Sequence, residues 1–95
     1  MNTEALFTKD FEKKQIELKS KYSAAVLKKA AENYVNSLKP EYRSAEKIIP
    51  ELLKGYESCL FAYSHTKDRN YRKNCFAWVE RVVLIDIAAD NNIIH

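Results

Sequence analysis

Apolar residues in this chain recur at helical spacing, and they are densest over Asn74–Ala89, NCFAWVERVVLIDIAA. Cys75, Trp78, Val82, Ile85 and Ala89 lie 3, 4, 3 and 4 residues apart and mark one helical face. Phe76, Val79, Val83 and Ile87 widen that face. A helix apolar over so much of its circumference needs cover from more than one neighbour, so it is expected at the centre of the fold. The run Val82–Ile85 is rich in β-branched residues, yet a lone strand would have no partner, and the segment reads as helix.

The stretch before it carries a matching seam. Tyr42, Ala45, Ile49, Leu52, Tyr56, Cys59 and Tyr63 keep a 3, 4, 3, 4, 3, 4 spacing that runs through Pro50. This predicts a helix beginning at or just after Pro40. Proline in its interior would either kink it at Ile49-Pro50 or end a short first segment there, and the unbroken phase favours the kink. Gly55 inside this pattern reads as a point of close packing. Ser64–Asp68 forms the turn, with Thr66 or Asp68 as the N-cap of the next helix, which ends around Asp90-Asn91-Asn92. With Lys67 at the turn centre, Cys59 faces Cys75, Tyr56 faces Trp78, Leu52 faces Val82, Ile49 faces Ile85 and Ala45 faces Ala89.

The N-terminal part reads as one long helix from Thr3 to Pro40. Its stripe is Phe7, Phe11, Leu18, Tyr22, Val26, Ala30, Tyr34 and Leu38, mostly in steps of four. A break near Ser20–Ser23 is compatible with the pattern, but no glycine or proline demands one. A helix of that length spans about 50 Å, so its start, with Phe7 and Phe11, would overhang the hairpin by about 10 to 15 Å. Two exposed phenylalanines there would either draw the segment back as a fourth helix or pack on a second copy, and self-association is the favoured outcome. The expected fold is therefore all-α: an antiparallel up-down-up three-helix bundle over residues 1–95, helix two kinked at Pro50. It has four helices if the N-terminal segment folds back, and it is expected to be a homodimer.

Composition agrees. One Gly and two Pro in 95 residues give too few turns for an all-β fold. The charge of +3, from 16 basic and 13 acidic residues, is mild for a dedicated nucleic-acid binder. Lys outnumbers Arg twelve to four, as on a solvated helix surface. The first residues, MNTEALFTKDFEKK, lack the apolar core of a signal peptide, and the longest apolar run is broken by Glu80-Arg81 and Asp86. A cytoplasmic location with no membrane partner is expected.

Candidate chemistry is sparse. Cys59 and Cys75 form no metal-binding motif and are expected to be reduced core thiols. His65 lies in the turn and His95 is the final residue; neither has a carboxylate or nucleophile at useful spacing. No phosphate loop or nucleophile elbow is present, so no enzymatic activity, catalytic residue, metal or cofactor is expected. Asp86 interrupts the most apolar turns and is expected to pair with a cation from the first helix or from a second copy. The six tyrosines lie at or beside seam positions, as half-buried rim residues.

The surface feature that stands out is basic. Lys67, Arg69, Arg72 and Lys73 surround Tyr71, and the bundle would bring Lys9, Lys13 and Lys14 to the same end. The expected function is a non-enzymatic interaction protein, an adaptor, inhibitor or immunity-type factor that occupies a protein partner. In size, helicity and mild basicity the chain is similar to small helical immunity and phage-encoded inhibitor proteins, with no shared motif. The second reading is a nucleic-acid-associated protein using the basic end.

Overall fold

The computed structural model describes residues 2–95, and among them it contains four α-helices and no strand. The helices are α1 (Thr3–Lys21), α2 (Ala24–Ser37), α3 (Ala45–Thr66) and α4 (Arg69–Asp90), with a 3-10 turn at Pro40–Tyr42. The apolar segment noted first is α4, and α1, α2 and α3 all pack on it. Cys75, Val79, Val82, Val83, Ile85 and Ala88 are buried on α4. Ile48, Leu52, Tyr56 and Leu60 cover them from α3, and Leu27, Ala31 and Val35 from α2. The centre of the seam thus includes Ile48 and Ala88, while Ile49 is half-buried and Ala89 is exposed.

Local chemistry sets each boundary. Asn2 and Ser44 cap α1 and α3 through side-chain oxygens that accept the N–H of Ala5 and Lys47. Lys67 closes α3 in the left-handed conformation, φ 57°, and Asp68 caps α4 by accepting from Asn70 N–H. At the other end of α4, Asn92 has φ 57°, the Ile93 N–H donates to Ala88 and the Asn92 N–H to Ala89. This is a left-handed asparagine cap in its double-bonded form, at the end expected around Asp90-Asn91-Asn92. The chain then tucks Ile94 into the core, and the His95 backbone oxygen accepts the Ala45 N–H at 2.6 Å. Helix α3 continues unbroken through Pro50, so no short segment ends there.

Two expectations are corrected. The first helix is not continuous: Tyr22 and Ser23 are extended, and the Ser23 hydroxyl accepts the Val26 N–H at 3.2 Å to start a new helix. The phase resets at this elbow. The buried face of α2 is Leu27, Ala31 and Val35, while Val26 and Tyr22 face solvent. Nor does the N-terminal segment overhang. Helix α1 folds back along α4, where Phe7 and Phe11 are half-buried against both core clusters. Phe7 stacks edge-on against Tyr56, ring centroids 5.2 Å apart. These rings are covered because the Ser23 cap turns the chain where no glycine or proline demands a break.

Candidate functional site

Asp10 lies mid-way along α1, between the two phenylalanines, and is only 4% exposed. A carboxylate so buried needs partners. Arg72, in the first turn of α4, supplies two: Nη1 donates to Oδ2 at 2.7 Å and Nη2 to Oδ1 at 2.8 Å. The Tyr56 hydroxyl, from α3, donates to Oδ2 at 2.8 Å. The bidentate pair and the phenol tie three helices together at one point. The hydrogen bonds from the guanidinium to Asp10 raise the Arg72 pKa above the ordinary arginine value, so it stays charged. Burial first, and then its bond to Asp10, pushes the Tyr56 phenol above its usual pKa. Both carboxylate oxygens are occupied from within, and no buried side-chain nitrogen or oxygen among the described residues lacks a partner. The constellation is built as a clamp.

Cys75, one turn after Arg72, is fully buried and its Sγ is 4.0 Å from the Tyr56 carbonyl oxygen. Burial raises its pKa, which suppresses thiolate chemistry. Cys59 and Cys75 are both free thiols. Among the described residues no cluster of His, Cys, Asp and Glu is placed to hold a metal ion. Among the described residues no helix is long and apolar enough to cross a membrane.

The basic residues divide. Lys13 and Lys14 of α1 and Lys73 of α4 line one shallow groove of about 400 Å³ with Phe76, Ala77, Glu17 and Glu80. The Phe76 ring is its floor. Arg72 Cζ lies 4.5 Å from the ring centroid, Lys13 Nζ 5.4 Å and Lys14 Nζ 5.9 Å. Three cations within about 6 Å of one aromatic ring is a cation–π arrangement. Lys14 also pairs with Glu17 at 3.4 Å, as does Lys21 at 3.3 Å, and the Lys21 hydrogen bond leads in lowering the Glu17 pKa. Lys67 stays in the turn with its Nζ 5.9 Å from the Tyr63 ring, and Lys9, Arg69 and Tyr71 are exposed outside the groove. Arg72, expected as a free surface cation, is instead held inward by Asp10.

Asp86 forms no ion pair among the described residues, so the carboxylate that needed a buried partner was Asp10. The signal for it was present: Asp10 lies one helical turn after Phe7 and directly before Phe11, on the apolar stripe. Arg72 likewise lies three and four residues before Cys75 and Phe76. A charge of each sign beside a seam is the sequence trace of such a clamp. Compared with protein-family models, curated proteins and solved structures, the chain matches none.

Proposed function

We propose that this protein is a non-enzymatic interaction protein, an adaptor, inhibitor or immunity-type factor, that binds a segment of mixed charge from a protein partner in the groove between α1 and α4. The observation that carries this reading is the placement of Lys13 and Lys14 against the ring of Phe76, with Lys73 on the same groove. An aromatic floor with charged rims combines the apolar area and the electrostatic steering that partner binding uses. The constellation of Asp10, Arg72 and Tyr56 is satisfied internally, which supports a structural role for it and leaves the surface as the working part of the molecule.

Nucleic acid is the second reading, favoured by the same cations beside an aromatic ring. Glu17 and Glu80 stand on the same groove and weigh against it, because a continuous phosphate backbone would meet them. A protein segment of mixed charge fits the interleaved signs better.

Affinity capture from a native lysate, with and without nuclease, tests both readings. A protein retained after nuclease, and lost when Lys13→Glu and Lys73→Glu are combined, is the expected result. Retention that is unaffected by those changes would reject this groove. Retention that vanishes with nuclease and falls steeply with salt would assign the surface to nucleic acid instead.

A further inference from the structure

The elbow at Tyr22-Ser23 interrupts an apolar stripe that the sequence carries across it, while the buried face of α2 shifts to Leu27, Ala31 and Val35. Leu18, Tyr22 and Val26 keep the four-residue step of the stripe that starts at Phe7 and Phe11. In the folded chain Tyr22 is 48% exposed and Val26 52% exposed, so the elbow breaks an apolar face that a straight helix would keep in line. Neither elbow residue is a glycine or proline, and both sit in ordinary extended conformations, Tyr22 at φ −130° and Ser23 at φ −69°. One hydroxyl-to-amide bond, Ser23 to Val26, stands in for the backbone bonds that a straight helix would make there. Helix α1 touches α2 little and rests on α4, where Asp10 finds Arg72 and Phe7 finds Tyr56.

We infer that the protein exchanges α1 between two copies: the elbow straightens, α1 and α2 become one helix, and each α1 docks on the other copy's α4. The occupant of the α1 site is then the α1 of a second copy of this chain. Every contact of α1 is recreated across the pair, the Asp10–Arg72–Tyr56 clamp included, so only the elbow differs between the closed and exchanged forms. The elbow favours exchange, because straightening restores helical backbone bonds and brings Tyr22 and Val26 into the stripe. The buried clamp supplies the register, since a carboxylate placed elsewhere on α4 would be unpaired in an apolar surface. An opened single chain is disfavoured, because it uncovers Tyr56, Cys75, Val79 and Val83 with nothing to replace α1. This goes beyond the partner-binding reading and stands or falls without it, since it is read in the purified chain alone.

Ser23 decides the test. Proline at this position matches φ −69° and places an extended residue before it, as Tyr22 already is, but it cannot lie inside a straight helix. Alanine removes the cap and favours the straight form. The purified protein and the Ser23→Pro and Ser23→Ala variants are refolded at high concentration and sized by light scattering, with helix content followed by circular dichroism. The expected result is a dimer fraction in the unmodified protein, raised about tenfold in Ser23→Ala and absent in Ser23→Pro. A two-glycine insertion after Tyr22 serves as a second elbow-preserving variant and is also expected to be monomeric. A Ser23→Pro protein or an insertion variant that dimerises like the unmodified chain would overturn the inference, as would an unmodified chain and a Ser23→Ala variant that both stay monomeric.

Discussion

Asp10 is the one charged side chain buried among the described residues, and three donors from two other helices converge on it. Removing it would leave Arg72 charged and half-enclosed, without its partner. Asp10→Ala is expected to cost about 3 kcal/mol in a urea melt, far above the usual surface substitution. Tyr56 gives the clamp a pH signature. Its folded pKa lies above the unfolded value of about 10, so its contribution is fully present below that pH and is lost as pH rises beyond it. The raised Cys75 thiol adds loss in the same direction, starting from its unfolded value of about 8.5. Stability should therefore decline through the alkaline range, and Tyr56→Phe should flatten the part above pH of about 10 while costing about 1 kcal/mol at neutral pH. An unchanged alkaline slope in that variant would contradict the burial of the phenol. At this scale the sequence was hard to read. Asp86, inside the most apolar run, drew attention, whereas Asp10 lay among lysines and glutamates that made it look solvated.

Gly55 is the clearest case of an element-level requirement written in one residue. A Cβ there would lie within 2.6 Å of Trp78 Cζ2, so the indole, with Arg81 Cζ 4.2 Å from its ring, occupies the space that glycine leaves. Gly55→Ala would gain about 1 kcal/mol of helix propensity on an open surface, yet here it is expected to destabilise by about 2 kcal/mol and shift the Trp78 fluorescence. The hairpin of α3 and α4, the Lys67 turn and the asparagine cap were all legible, because periodicity and turn chemistry are local signals. The elbow was not. A serine N-cap looks like any other serine until the helix before it is known to stop, and an exposed stripe residue looks like a buried one. Phe7→Ala carries the consequence: with α1 folded back on Tyr56, the substitution is expected to cost about 2 kcal/mol, where an overhanging helix would have left the hairpin melt unchanged.

For the whole molecule, α4 is the hub that the hydrophobic pattern marked out, and the other three helices meet on it. The face left over after pairing with α3, which includes Val79 and Val83, is covered by α1 and α2 from the same chain. Architecture was thus legible down to which helix is central. The basic end was legible only in part: Lys13 and Lys14 of α1 do meet Lys73 of α4, but burial withdrew Arg72 and geometry left Lys67 and Arg69 outside the groove. The most direct check of this arrangement is a double-mutant cycle on Asp10→Ala and Arg72→Ala by urea denaturation. The clamp predicts a coupling of about 2 kcal/mol or more between the two positions. Effects that add to within about 0.5 kcal/mol would show that α1 does not lie on α4 in this register.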